Sequence, residues 1–385
     1  MKIIAITGCR SEYDIIYPVI KLLELRGHEV KIIVSGTHLS KWHGKSLKNI
    51  KSDKFRVTSK IYSDFGTNKK SKRTRSIAKL INGITHTIEK VSPDILIYVG
   101  DREEGIAAAI ACNYMSTLFA HIAGGDPVWG NADDPIRFAM SKLAHIHFTF
   151  TEKFSDNLLK IGEESFRICT SGNPALDNIK STKLINLKKL NKNLEVNIRD
   201  NFIVLIKHPL SSEQKLAKTQ MKISLKVLKD FSLKNKFDVV VIYPNNDPGS
   251  LEMISEIKKY KNEKNFFIFK NLEHLEFVNL IRLSSVLVGN SSMGFLEAPY
   301  YKLPVVNIGR RQRGRLNAGN VKFVDYKEKS IISALNKACF DKKYLKNIKK
   351  TNNLYGKGFS SKKIVNFLEK IKNKESKWLI KKNLC

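Results

Sequence analysis

Cysteine is scarce in this sequence and falls in no pattern. Cys9, Cys112, Cys169, Cys339 and Cys385 are scattered over 385 residues, odd in number and without a CxxC pair. That excludes a disulfide framework and a zinc knuckle, and a reducing, cytoplasmic setting is the expectation. Acidic residues are also in short supply, 36 Asp+Glu against 68 Lys+Arg, for a formal net charge of +32. No stretch approaches the roughly 18 uninterrupted apolar residues of a membrane-spanning helix. The opening MKIIAITGCR has neither the apolar core nor the small-residue cleavage site of a signal peptide. What is present is a 42% hydrophobic fraction, enough apolar material to exclude a mainly disordered chain. The length suits two domains of ordinary size.

The positive charge invites a nucleic-acid reading, but its distribution argues for a solvated surface. Lysine runs through the whole chain, densest at Lys69-Lys70-Ser71-Lys72-Arg73-Thr74-Arg75, then in 180–193 and in the tail from Lys362. Such a surface attracts polyanions, or a nucleotide substrate, at low salt. No specific nucleic-acid partner is expected from it.

Short apolar runs alternate with helical patterns. KIIAIT (2–7) stops at Gly8, residues 14–26 carry apolar side chains at helical spacing, and Gly27 ends them. EVKIIVSG, DILIYVG (94–100), STLFAHIAG and HIHFTFT (145–151) continue the series. FIVLIKH (202–208), DVVVIYP (238–244), FFIFKN (266–271), SVLVGN (285–290) and PVVNIG (304–309) repeat it in the second half. This predicts an α/β protein of two Rossmann-like, doubly wound domains facing a ligand cleft. The boundaries expected are 1–180, 181–355 and a basic helical tail over 356–385 that packs back on the first domain. The lysine-rich 178–198 stretch, without strand patterning, reads as the linker.

Ligands of such sheets bind beyond the carboxyl ends of the strands, so the residues there are the candidates. Gly8-Cys9-Arg10-Ser11-Glu12-Tyr13-Asp14 offers a tight turn, a helix N-terminus and, in Arg10, a phosphate clamp. It is not GxGxxG, so it carries no dinucleotide fingerprint, and an ordinary βα turn also accounts for it. Asp101, right after DILIYVG, is placed for general acid/base work or for capping the helix that follows. His121–Asp126 and Gly130–Arg137 pack a histidine, three carboxylates, an arginine and glycines into one segment. Capping by Asp134 before Pro135 explains one carboxylate and leaves Asp126 and Asp133 for function.

In the second half, His208 ends a strand, and Tyr243-Pro244-Asn245-Asn246-Asp247 ends the next. Gly289-Asn290-Ser291-Ser292-Met293-Gly294 lies before a predicted helix holding Glu297. Small residues there let backbone N–H groups reach diphosphate oxygens, and a carboxylate one turn on can hold ribose hydroxyls. Gly309-Arg310-Arg311-Gln312-Arg313-Gly314-Arg315 supplies cations, or a solvated charge run.

Taken in order, these segments resemble the hydrolysing UDP-N-acetylglucosamine 2-epimerases of sialic-acid-type sugar biosynthesis. KLAHIHF (142–148), Gly162-Glu163 and Gly172-Asn173-Pro174 with Asp177 extend the match, which runs to about residue 326. The resemblance implies a glycosyltransferase-B-like fold with the nucleotide held mainly by the C-terminal domain. It also implies elimination of UDP across C1–C2, then hydration of 2-acetamidoglucal to free N-acetylmannosamine. That chemistry calls on no cofactor and no metal, and the family makes a homodimer or homotetramer the expectation.

Carried over position by position, the resemblance makes Asp101, Asp133, Asp134 and His208 catalytic. Arg10, Asn246, Asn290, Ser291, Ser292, Gly294, Glu297, Arg311 and Arg315 become the UDP contacts, with an imidazolium at His208 helping to stabilise the leaving group. Two departures matter. Ala123 stands where family members often have a catalytic glutamate, and Phe138 where they often have a histidine. Asp126, three residues on and freed by Gly124-Gly125, is expected to reach the sugar and take over the proton transfer. The rival readings are a 2,4-diacetamido-trideoxy sugar nucleotide of the legionaminic acid route, a non-hydrolysing epimerase, and a non-catalytic polyanion-binding protein.

Overall fold

The computed structural model describes residues 1–40, 46–63, 70–127, 133–371 and 376–382. The side chains of Asn49, Lys70, Asp133, Asp134 and Ser376 lie outside that description. The chain divides into two compact units. One holds Met1–Pro127, residues 133–181 and the segment from Tyr355; the other holds Thr182–Leu354.

The first unit is built on a seven-stranded sheet of β1 (Lys2–Thr7), β2 (Glu29–Val34), β3 (Arg56–Lys60), β4 (Ile95–Val99), β5 (Leu118–Ile122), β6 (Ile146–Thr149) and β7 (Ile168–Thr170). All pairings are parallel, in the order β3-β2-β1-β4-β5-β6-β7. Its helices are α1 (Arg10–Leu25), α2 (Leu47–Ser52), α3 (Lys70–Val91), α4 (Glu103–Tyr114), α5 (Asp133–Leu143), α6 (Glu152–Lys160) and α7 (Ala175–Ser181). β4 and β5 are buried at every residue, as continuous apolar strands covered on both faces must be. Ile4, Ile6, Leu96 and Phe119 pack with Leu80, Ile84 and Ile88 of α3 and with the alanines of α4. Strand order reverses between β1 and β4, which places the turns after Thr7 and Val99 at the switch point.

The second unit opens with α8 (Leu187–Leu194) and repeats the plan. Its strands are β8 (Phe202–Ile206), β9 (Asp238–Ile242), β10 (Phe266–Phe269), β11 (Val286–Gly289), β12 (Val305–Ile308) and β13 (Val321–Val324). They run parallel in the order β10-β9-β8-β11-β12-β13, with the switch between β8 and β11. The helices are α9 (Ala217–Asn235), α10 (Ser250–Lys258), α11 (His274–Leu283), α12 (Met293–Leu296), α13 (Glu328–Phe340) and α14 (Lys342–Lys350).

The tail, α15 (Ser360–Leu368) and α16 (Ser376–Leu379), belongs to the first unit. Arg167, fully buried, donates to the carbonyls of Lys377, Trp378 and Ile380. Lys381 Nζ donates to the Ser141, Lys142 and Ala144 carbonyls, capping the C-terminal end of α5.

Local differences from the sequence reading have local causes. The 178–198 stretch is not a plain linker: Asn186 accepts the Lys189 N–H and starts α8, which buries Leu190. β3, β7 and β13 escaped notice because they are short and only partly buried, so they show no apolar run. The helix expected to hold Glu297 stops at Leu296. Pro299 follows, and Glu297 sits at the joint with a 3-10 turn over Ala298–Tyr301.

Candidate active site

In the first unit the turns after β1, β4 and β5 carry the candidates. Gly100, at φ +105°, turns the chain out of β4. Arg102, not Asp101, takes the N-cap position of α4, so the capping alternative for Asp101 falls. Instead Asp101 is joined to Arg137 of α5: Arg137 Nη2 donates to Asp101 Oδ2. The other guanidinium nitrogen, Nη1, donates to the Asp126 carbonyl at 2.7 Å and lies 3.2 Å from Asp126 Oδ2. One buried arginine thus joins the two carboxylates. The Asp101 side chain is 20% exposed and that of Asp126 only 2%. The expectation that Asp126 reaches outward to a ligand does not match this placement, because its carboxylate is turned in upon Arg137.

Ala123, next to the end of β5, is held at φ +72° while its N–H donates to the Phe148 carbonyl at 2.9 Å. A non-glycine residue in that region costs about 1–2 kcal/mol. His121 donates from Nε2 to the Gly100 carbonyl at 2.7 Å. Burial pushes its pKa down to about 3 against that hydrogen bond, so it is a neutral brace between strand ends. Arg10, on the first turn of α1, pairs with Asp14 at 3.3 Å. Asp133 and Asp134 open α5, and their side chains lie outside the described residues.

In the second unit the switch point brings His208 and Asn290 together. Asn290 Oδ1 accepts the His208 N–H at 2.7 Å and its Nδ2 donates to the His208 carbonyl at 2.9 Å. The Asn245 N–H donates to His208 Nδ1 at 3.0 Å. That bond makes Nδ1 an acceptor and puts the ring hydrogen on Nε2; an imidazolium would set two N–H groups against each other. The expected imidazolium is therefore corrected to a neutral, Nε2-protonated ring. Gly289, at φ +133°, admits no side chain, since a Cβ there would stand 2.0 Å from the Ile206 carbonyl.

Ser291 and Ser292 precede α12, with Ser291 Oγ 3.4 Å from the Met293 N–H. The Cβ of a substituted Gly294 would meet Val305 Cγ1 at 3.0 Å, so this glycine serves helix–strand packing. Asn246 is buried, and Glu297 half-buried. Of the arginines after β12, Arg311 reaches inward, 3.8 Å from Asp247 Oδ2 and 3.4 Å from the Asn290 carbonyl. Arg315 is half-buried, Arg313 is exposed, and Arg310 pairs with Glu213 at 2.5 Å.

Three further groups, Lys207 and the pair Glu12 and Glu104, carry no signal in the sequence pattern that sets them apart. Lys207 is fully buried, donates to the Tyr326 hydroxyl at 3.2 Å, and is pushed down by burial to about 7. In a lysine-rich chain nothing marks it. Glu12 and Glu104 stand just past strand ends, as Asp101 does, and lie in the first turns of α1 and α4. Among the described residues no group of three or more His, Cys, Asp or Glu could hold a metal ion, and no helix is long and apolar enough to cross a membrane.

Two doubly wound parallel sheets, one with paired carboxylates at its switch point and the other with glycine and small-residue turns there, describe a two-domain sugar-nucleotide enzyme. The sequence profile of UDP-N-acetylglucosamine 2-epimerase matches residues 21–369. The chain belongs to that family of sugar-nucleotide 2-epimerases. It is 31% identical over 371 residues to the UDP-N,N'-diacetylbacillosamine 2-epimerase (hydrolyzing) of Legionella pneumophila, covering 96% of each. It is 30% identical over 339 residues to the UDP-N-acetylglucosamine 2-epimerase of Neisseria meningitidis serogroup B, covering 88% of this chain and 87% of that one. The fold is shared with the crystal structure of the Neisseria meningitidis UDP-GlcNAc 2-epimerase bound to UDP-GlcNAc, at TM-score 0.81 and 22% identity over 96% of this chain and 100% of that one.

Proposed function

We propose that the protein is a hydrolysing 2-epimerase that converts UDP-N-acetylglucosamine to free N-acetylmannosamine and UDP. The observation that carries the reading is the Asp101–Arg137–Asp126 arrangement at the switch point of the first sheet. Elimination needs a base for the C2 proton, and Asp101 is the accessible carboxylate of the two. As it takes the proton, the C2–H electron pair forms the C1–C2 double bond and the C1–O pair leaves with the diphosphate. Arg137 fixes the direction of Asp101, and Asp126 holds Arg137. In the first unit Arg10, at the α1 N-terminus, is the candidate to meet the leaving-group charge; in the second unit the small-residue turn after Gly289 and the Nε2–H of His208 are candidate phosphate donors. The 2-acetamidoglucal then takes a proton at C2 on the opposite face, from a carboxylic acid, and a hydroxyl from water at C1. Free sugar and UDP are released.

A second reading has a specific support. The Legionella relative is named for a diacetamido sugar nucleotide, and at position 123, where the resemblance implies a catalytic glutamate, the methyl group of Ala123 cannot move a proton. The experiment offers purified protein UDP-N-acetylglucosamine and UDP-N,N'-diacetylbacillosamine separately and identifies products by NMR. N-acetylmannosamine with UDP supports the first reading. Turnover of the diacetamido substrate alone supports the second. A product still linked to UDP rejects hydrolysis, and no turnover of either, with salt-sensitive polyanion binding, rejects catalysis.

A further inference from the structure

The first unit buries a second pair of carboxylates that the reaction above does not use. Glu12, on the first turn of α1, and Glu104, on the first turn of α4, are 5% and 1% exposed. Both meet the Gly8 turn. Glu12 Oε2 accepts the Gly8 N–H at 2.7 Å, and its Oε1 accepts the Tyr98 hydroxyl at 2.9 Å. The Glu104 carboxyl lies against the same glycine: a Cβ on Gly8 would stand 2.1 Å from Glu104 Oε1, and one on Gly36 2.7 Å from it. At Gly8 this carboxyl fills the space a side chain would need; at Gly36 the Gly8 carbonyl stands closer still, 2.5 Å from such a Cβ, and the backbone is left-handed at φ +54°.

The charged groups around the pair do not neutralise both members. Arg102 Nε stands 3.9 Å from Glu12 Oε1. Glu103, beside Glu104, is paired with Arg73 of α3. Tyr98, Cys9 and Asp101 add no positive charge. His38, from the 36–39 turn, is bonded to Thr7 and Ser46 and kept neutral by burial, which pushes it down to about 4. Among the described residues the buried Glu104 Oε2 has no hydrogen-bond partner. Glu12 has the N–H, hydroxyl and guanidinium neighbours of an anion; Glu104 feels the Arg102 charge too, but burial and the nearby Glu12 and Glu103 carboxylates outweigh it. Burial pushes Glu104 up to about 8, with the charge of Glu12 adding to it, and burial raises Glu12 as well.

We propose that Glu12 and Glu104 hold one proton between them, on Glu104, and are positioning residues that keep the Gly8–Arg10 turn competent to bind an anion. The identity of that anion as a diphosphate rests on the UDP-sugar reading. When the shared proton leaves, a second buried negative charge appears against Gly8, at the N-terminus of α1 where the ligand's own charge must sit. The folded state keeps a proton that the unfolded chain has lost, so the pair's contribution falls as pH rises from the ordinary carboxylate range through about 8.

The test uses the full chain and its Glu104→Gln variant, which has the shape of the neutral acid at every pH. UDP affinity is measured by calorimetry near pH 7 and near about pH 9.5, with infrared spectra of both proteins at each. The wild type is expected to lose about tenfold more affinity than the variant over that interval. It should also show a carboxylic-acid carbonyl band at the lower pH that the variant lacks and that fades at the higher. An equal pH dependence of the two proteins, or no such band, overturns the proposal. Failure of both proteins to bind UDP at either pH rejects the UDP-sugar reading instead, and the infrared band still decides whether the proton is shared. Should Glu104→Gln not fold, Glu12→Gln serves: removing the partner charge should lower the pH at which the wild-type band disappears, and an unmoved midpoint overturns the coupling.

Discussion

Asn290 grips His208 at both ends of its backbone unit, accepting its N–H at 2.7 Å and donating to its carbonyl at 2.9 Å. The two residues follow β8 and β11, the strands between which the order of the second sheet reverses. A side-chain amide here does what a continued strand ladder would have done, while the Asn245 N–H aims the imidazole. Asn290→Ala should leave two partly buried backbone groups unmatched, at a cost of about 1–3 kcal/mol read as a fall in Tm. It should also weaken UDP binding, because His208 and the small-residue turn lose their common anchor. A folded variant with unaltered UDP affinity by calorimetry would reduce the grip to a structural tie.

Asp101→Asn keeps the hydrogen-bonding shape but cannot accept the C2 proton. Turnover should fall by about 10²–10⁴-fold, the usual contribution of a positioned base, with UDP affinity near that of the wild type. Exchange of solvent deuterium into C2 of the product reads the same step directly. If a folded Asp101→Asn turns over normally, the base belongs elsewhere, with Asp133 and Asp134 next in line.

Much of this arrangement is legible in the sequence, because buried parallel strands are continuous apolar runs and ligand-facing residues stand directly after them. Asp101, His208 and Asn290 were found that way. Arg137 was seen only as part of a motif: its role depends on α5 running back past β4 and β5, which no local pattern states. Glu12, Glu104 and Lys207 were hidden for a different reason. Their chemistry comes from burial and from neighbours distant in sequence, such as Tyr98 to Glu12 and Tyr326 to Lys207. The neutral state of His208 was equally out of reach, since it is decided by one backbone N–H from the next strand end.

The tail is tied down by a buried ion cluster, which sets an acid limit. Glu163 is met by His147 Nε2 at 2.9 Å, Lys142 at 2.9 Å and Lys381 at 2.5 Å. Burial alone would raise its carboxyl, but the His147 and Lys381 bonds outweigh this and carry it down to about 2. A folded value below the unfolded one gives stability that is present above the ordinary carboxylate range and lost as pH falls toward 2. Glu163→Gln should therefore lower Tm at neutral pH, by an amount corresponding to about 3–5 kcal/mol for breaking a buried pair. The gap to wild type should narrow on acidification. A gap that is constant with pH would mean that lost packing, not charge, causes the destabilisation.

Asp126 poses the sharpest question, because the sequence reading gave it the proton-transfer role that Ala123 cannot fill, while the structure turns its carboxylate toward Arg137. With its carboxylate 2% exposed and turned toward Arg137, Asp126 is proposed to act on the sugar through that arginine and Asp101. Asp126→Asn should then lower Tm and slow turnover, yet still carry solvent deuterium into C2 of the product, since the base is still Asp101. Asp101→Asn should instead lose that exchange along with the rate. The reverse pattern, with exchange lost in Asp126→Asn and kept in Asp101→Asn, would return the base to Asp126. Ala123→Glu in the Asp126→Asn background approaches the matter from the other side. The left-handed backbone at position 123 already tolerates a non-glycine residue, so the added strain is small and the question is one of chemistry. If a glutamate there restores turnover, proton transfer had passed between these two positions. If it restores none while Asp101 remains essential, Asp126 is the brace of Arg137 and Asp101 carries the proton.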